Sequence, residues 1–227
     1  KGHVAGLELD HRNTLDDLGL GKMAGKEKDY VGKALRFRED CQRPERWSLV
    51  GLELMVIPGY VLAGYAKRDP LSTEGAVKYF LLGSFSSAIL LFGIVVLWGV
   101  AGTASLSGIA TALASGEANA GLAVALALIT TGSAFKIAAV PFHYWTPDAY
   151  QGSPTPITGY LSVGPKVGAF VLLIKLFVIA LAPLATLWIP VMVVLAAATM
   201  TLGNLVALTQ SNVKRMLAYS SIAHTGY

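Results

Sequence analysis

The chain has 227 residues, with 18 Lys and Arg against 14 Asp and Glu, 54% hydrophobic residues and only 14% charged ones. Soluble domains run at about 25% charged, so this composition excludes a purely soluble protein, and its apolar content excludes a disordered one. The net charge of +4 forms no basic stripe, which excludes a nucleic-acid-binding reading.

Residues 1–48 hold ten of the 18 basic and nine of the 14 acidic residues, while the other 179 residues share 13 charges. The first stretch reads as a short soluble fragment with too few apolar residues for a core of its own. The single cysteine, Cys41, lies in it and can supply neither a disulfide nor a metal pair. The chain has no initiator Met and stops inside a starting helix, so both ends read as cuts in a longer protein.

From residue 49 on, the pattern predicts an all-α membrane protein of about five spans and a partial sixth. Leu49–Tyr65 is an apolar run of 17 with one charge, Glu53. Ala66–Pro70 closes it, and Ser72-Thr73-Glu74 gives a helix-start signal. Val77–Val100 is a second span, rich in Gly, Ala and Ser at its centre, which lets helices approach closely in lipid. Gly102–Asn119 reads as a loop and Ala120–Val140 as a third span. Pro141–Pro156 carries four prolines and is not a plain span. Ile157–Ala182 reads as a fourth span broken at Gly164-Pro165-Lys166, and Leu184–Leu208 as a fifth. Arg215–Tyr227 opens a sixth helix. The loop charges Lys67, Arg68, Lys214 and Arg215 are too few to fix orientation.

Ionisable groups inside apolar spans are costly and are functional candidates by default. Glu53, Lys136, Lys166 and Lys175 meet that description, and His143 joins them in Pro141-Phe142-His143-Tyr144-Trp145. Lys175 reads as a lysine that snorkels to an interface. Glu53, near its span's start, fits solvation at the interface as well as function. Lys166 follows a proline that frees a backbone carbonyl, a feature of ion pathways. His143 fits a proton link or a loop histidine bonded to backbone equally well. A Glu53–Lys136 pair would have proton affinities that change with contact, which is the physical basis of a proton relay. No Gly-x-Gly-x-x-Gly motif, P-loop or Cys/His cluster occurs, so electron transfer is expected on other chains.

These residues sit in recognisable strings. Gly51-Leu52-Glu53-Leu54, Thr73-Glu74-Gly75-Ala76-Val77-Lys78-Tyr79-Phe80, Ala134-Phe135-Lys136, Val140-Pro141-Phe142-His143-Tyr144-Trp145-Thr146-Pro147-Asp148-Ala149-Tyr150 and Asn212-Val213-Lys214-Arg215-Met216-Leu217-Ala218-Tyr219 closely resemble the N-type antiporter-like subunits of respiratory complex I, the NADH–quinone oxidoreductase. The resemblance runs from about residue 50 to 227. It implies an antiporter-like transmembrane helix bundle, partial here, that moves protons through Glu53, Lys136 and Lys166 with His143 as a link. It also implies NADH, FMN, iron–sulfur clusters and quinone on partner subunits and none on this chain. Partners would be the other membrane-arm subunits and the lipid bilayer, in a multi-pass chain of the bacterial inner membrane. A cation/proton antiporter subunit of the Mrp type, built on the same fold, is the nearer rival.

Lys1-Gly2-His3-Val4-Ala5-Gly6, Asp16-Asp17-Leu18-Gly19-Leu20-Gly21-Lys22-Met23 and Lys28-Asp29-Tyr30-Val31-Gly32-Lys33 resemble instead the C-terminal, aminomethyltransferase-like domain of the sarcosine oxidase alpha subunit. The match covers only about 50 residues, too little for folate binding to be expected. Val50-Gly51-Leu52-Glu53-Leu54 is a string both families carry, so the chain reads as a chimera or fusion fragment. A misjoined end of a soluble folate-dependent enzyme is the second rival.

Overall fold

The computed structural model describes residues 48–115 and 120–227, with side chains from Glu53 onward. The chain divides into two units, Lys1–Gly51 and Leu52–Tyr227. The readings made for residues 1–47 lie outside the described residues.

Every regular element among the described residues is helical. They run α1 (Ser48–Ala63), α2 (Pro70–Ala101), α3 (Leu106–Ser115), α4 (Ala120–Ile137), α5 (Trp145–Gly152) and α6 (Thr155–Leu173). A π-helical turn (Ile174–Ala180) and a 3₁₀ turn (Ala182–Leu184) follow, then α7 (Ala185–Leu208) and α8 (Val213–Gly226). Four described helices are long and apolar enough to cross a membrane: Pro70–Ala101, Ala120–Ile137, Thr155–Ala180 and Ala182–Leu208. The expected first span is the shorter α1, whose 16 residues extend about 24 Å at 1.5 Å per residue. The expected sixth is the 14-residue α8.

α2 starts before the Ser72–Glu74 signal. Asp69 is its cap, accepting from the Leu71 N–H at 3.0 Å, and Pro70 fills the first turn, where no helical N–H is lost. Ser72 is buried instead, and its hydroxyl donates to the Ala63 carbonyl at 2.9 Å, fastening the end of α1. At the far end Gly102 takes φ +68° and donates to Trp98 O at 2.8 Å.

The buried stripe of α2 is Ser72, Gly75, Tyr79, Gly83, Ser86, Leu90, Gly93 and Leu97, at steps of three and four. Its small members set the packing. A Cβ on Gly93 would lie 2.9 Å from Ile129 N, and one on Gly132 of α4 would lie 2.6 Å from Leu90 Cβ. The two helices therefore meet backbone to backbone, as small residues allow in lipid, where hydrophobic exclusion does not drive helix pairing.

The Gly102–Asn119 segment is not simply a loop. It contains α3, which buries Ile109 and Leu113; Leu106, Ile109, Ala110 and Leu113 keep the i, i+3, i+4, i+7 spacing of a helix, a signal that the surrounding Gly and Ser content masks.

α4 ends in a Schellman arrangement. Ala138 N–H bonds Phe135 O at 3.0 Å, Ala139 N–H bonds Ala134 O at 2.8 Å, and Ala138 takes φ +62°, a conformation Gly usually supplies. The chain then crosses 138–144, where Val140 N–H reaches the Thr199 hydroxyl of α7 at 2.9 Å. The short α5 follows.

The break expected at Gly164–Lys166 is absent. α-Helical geometry runs through Pro165 to Leu173 and gives way only at the π turn of Ile174–Ala180. Proline removes one helical donor and frees the carbonyl four residues earlier, which is Leu161 O. The Tyr150 hydroxyl donates to it at 3.1 Å, so the helix continues without an orphaned carbonyl.

Candidate functional site

Three helices bring charged and hydroxyl groups to one point inside the bundle. Glu53 stands on α1 near its start, Ser87 at the middle of α2, and Lys136 in the last turn of α4. A lysine in that turn faces the negative end of the helix dipole. Lys136 Nζ lies 2.8 Å from Glu53 Oε1, with the lysine side chain 3% accessible and the glutamate 23%. Nζ also donates to Ser87 Oγ at 2.6 Å. Ser87 Oγ in turn lies 3.0 and 3.1 Å from the two Glu53 oxygens and 2.9 Å from Gly83 O.

The neighbouring packing fixes this geometry. Ser86 donates to Gly132 O at 3.2 Å, one turn before Lys136. The Tyr60 ring lies against Gly83, where a Cβ would fall 2.7 Å from Tyr60 Cζ. Tyr60 and Tyr79 meet edge to face at 4.5 Å, and Tyr79 stacks on Trp145 at 4.4 Å. Trp145 closes the far side, its indole N–H donating to Phe135 O at 3.2 Å.

Lys166 lies elsewhere. It is buried on α6, and its ammonium reaches Ser221 O at 2.8 Å, Ser221 Oγ at 2.7 Å and Thr225 Oγ1 at 3.0 Å. These three acceptors on α8 match its three donors. Among the described residues no carboxylate pairs with it.

His143 sits between α4 and α5, buried, with Nδ1 lacking a hydrogen-bond partner. Its ring is 4.8 Å from that of Tyr144 and 6.3 Å from that of Tyr219 on α8. Burial pushes the imidazole below its ordinary value, against a backbone hydrogen bond with Pro141 that raises it. So Glu53 and Lys136 touch, while Lys166 and His143 each meet α8, two residues apart at Ser221 and Tyr219. Buried hydroxyls of Ser133 and Thr146 also lack partners. Lys175 lies half-buried in the π turn.

Sequence reading missed Ser87, Ser221 and Thr225. The Ser84/Ser86/Ser87 run in the middle of an apolar span was the available signal for the first. It also missed a charged clasp at one end of α2. Lys78 reaches Asp148 of α5 at 2.7 Å and Glu74 at 2.5 Å, while Arg215 of α8 reaches Asp148 at 2.5 Å and Gln151 at 3.1 Å. Burial pushes the Asp148 carboxyl up, but Lys78 and Arg215 outweigh it and hold it below the ordinary carboxylate range. Among the described residues no three His, Cys, Asp or Glu gather as metal ligands.

A family model described as NADH:quinone oxidoreductase/Mrp antiporter, TM, matches residues 47–227. The chain is 51% identical over 181 residues to NAD(P)H-quinone oxidoreductase subunit 2 of Rippkaea orientalis, covering 78% of this chain and 35% of that protein. It is 48% identical over 180 residues to NADH-quinone oxidoreductase subunit N of Trichlorobacter lovleyi, covering 78% and 37%. Among solved structures it resembles a chain of respiratory complex I from Thermus thermophilus with bound aureothin, at TM-score 0.65 and 42% identity over 79% of this chain and 38% of that one. The chain thus spans about a third of the length of the curated relatives it matches. The aminomethyltransferase-like reading of residues 1–48 falls almost wholly outside the matched family range.

Proposed function

The chain belongs to the NADH:quinone oxidoreductase/Mrp antiporter membrane family, and on that premise we propose that it is a segment of an N-type membrane-arm subunit that translocates protons. The observation that carries this is the Lys136–Glu53 ion pair at 2.8 Å, buried between helices of an apolar bundle. A charge held there is costly even when paired, which makes the pair a functional candidate by default. The pair stores a proton on Lys136 while Glu53 is in contact, and a shift of α1 against α4 alters the lysine's hold on it. Lys166, cradled by α8 hydroxyls and a carbonyl, is the next station, and His143 stands at the same helix as a link.

Quinone reduction, with its NADH, FMN, iron–sulfur and quinone groups, is assigned to partner subunits, and this chain supplies protonation change alone. Its partners are other membrane-arm subunits and lipid, in a bacterial inner membrane. The quinone-oxidoreductase names of the relatives at 48% and 51% identity favour this reading over an Mrp-type antiporter.

The test is Lys136→Ala in the full-length subunit within the complete complex, with proton pumping read in inverted vesicles. Pumping and coupled NADH oxidation should collapse while the complex assembles. Persistence of both overturns the reading.

A further inference from the structure

The Ser87 hydroxyl occupies an unusual position. Among the described residues it is the one side chain hydrogen-bonded to both members of the Glu53–Lys136 pair. A hydroxyl has one proton to give and lone pairs to accept with. Here Lys136 fills the accepting role at 2.6 Å, and the single proton has two destinations, the Glu53 carboxylate at 3.0–3.1 Å and the Gly83 carbonyl at 2.9 Å.

We propose that Ser87 is a proton-bridging residue between Lys136 and Glu53, a role that rests on the proton-translocating function above. With the hydroxyl turned to Glu53, a continuous chain runs from Lys136 N–H through Ser87 O–H to the carboxylate. The transfer is a paired one. An N–H bond of Lys136 breaks as an O–H bond forms at Ser87, while the original Ser87 O–H breaks and an O–H forms on Glu53. The hydroxyl ends as it began, the lysine and glutamate end neutral, and the reverse step restores the ion pair. With the hydroxyl turned back to Gly83, the route through Ser87 is broken and only the direct Lys136 Nζ–Glu53 Oε1 contact at 2.8 Å joins the two groups. Ser87 is well placed to keep this geometry. It sits mid-helix on the 32-residue α2, beside Ser86, whose bond to Gly132 O locks α2 to the turn that carries Lys136.

The experiment uses Ser87→Thr and Ser87→Val in the full-length subunit of the complete complex. Both add a methyl group, and only Thr keeps the hydroxyl. Pumping in Ser87→Val should fall about tenfold or more, as loss of a positioned proton-transfer group does. Its turnover should acquire a larger solvent deuterium isotope effect, while Ser87→Thr stays near wild type in both. Normal pumping in Ser87→Val overturns the proposal, and so does an equal loss in both variants without a changed isotope effect, which would be a packing defect. If bulk at this position prevents assembly, Ser87→Ala decides: slowed pumping with a raised isotope effect supports the bridge, and wild-type behaviour overturns it. Lys136→Ala is measured alongside. If Lys136→Ala pumps normally the proton-translocating function itself fails, whereas its collapse beside a normal Ser87→Val removes only the bridge.

Discussion

The Tyr150 hydroxyl donates to the Leu161 carbonyl at 3.1 Å, and Leu161 is the residue whose helical partner Pro165 cannot provide. A phenol from the neighbouring α5 thus completes the hydrogen bonding of α6 one turn before Lys166.

Tyr150→Phe should therefore cost about 1–3 kcal/mol, the usual range for leaving one buried polar group unsatisfied. The loss should show as a lower unfolding temperature of the assembled subunit. Pro165→Ala restores the N–H, so in its background Tyr150→Phe should cost much less. Equal costs in both backgrounds would mean that the phenol acts by packing alone.

This bond also explains why the sequence misleads at this point. Gly164-Pro165-Lys166 in an apolar run reads as a break, because local rules see the lost donor and not Tyr150 of the neighbouring α5, which supplies one. The α2 stripe is the opposite case. Its apolar run and its Gly and Ser content are local, so a close-packed span was readable from residues 77–100, and only its start moved once Asp69 and Pro70 were seen to form the cap. The charged site was readable in its ends and not in its middle. Glu53 and Lys136 stand out as rare charges in apolar chain, whereas Ser87 is one of several serines until three helices converge on it.

Ala138 should accept glycine with a gain. At φ +62° a Cβ costs roughly 1–2 kcal/mol, and glycine's greater unfolded freedom returns about 0.5–1 kcal/mol of that. Ala138→Gly should raise stability by up to about 1 kcal/mol, read as an increase in unfolding temperature with pumping unchanged. A decrease would show that the Ala138 methyl contributes more by burial than it costs in strain.

The Asp148 clasp should make the hold of α5 on α2 and α8 pH-dependent in a defined direction. The carboxyl lies below its ordinary value in the folded state, so its stabilisation is fully present above the unfolded carboxylate value of about 3.9. It is lost as pH falls below that toward the folded value. Asp148→Asn should cost about 1 kcal/mol at neutral pH, a modest figure because the group is about a quarter exposed and partly screened. The gap in unfolding temperature between wild type and Asp148→Asn should narrow as pH drops from about 5 to about 3. A gap that stays constant over that window would exclude the ion pairs as its source.

Gly132 tests whether the close approach of α2 and α4 sets the geometry of the charged site. A Cβ there would lie 2.6 Å from Leu90 Cβ and 2.9 Å from both Leu90 Cα and Leu90 N, and backbone atoms cannot yield as a flexible side chain does. Gly132→Ala must then push the two helices apart, at a cost of about 1–3 kcal/mol. The wedge falls one turn before Lys136 and one turn after Ser87, so the separation opens at the Lys136–Ser87 bond. Pumping should fall in this variant more than its stability loss accounts for. Gly159→Ala on α6 is the control, since a Cβ there meets nothing within 4 Å and should leave both stability and pumping unchanged. If Gly132→Ala loses stability but pumps at the control's rate, the pair tolerates helix separation, and the close contact of α2 and α4 serves assembly of the bundle alone.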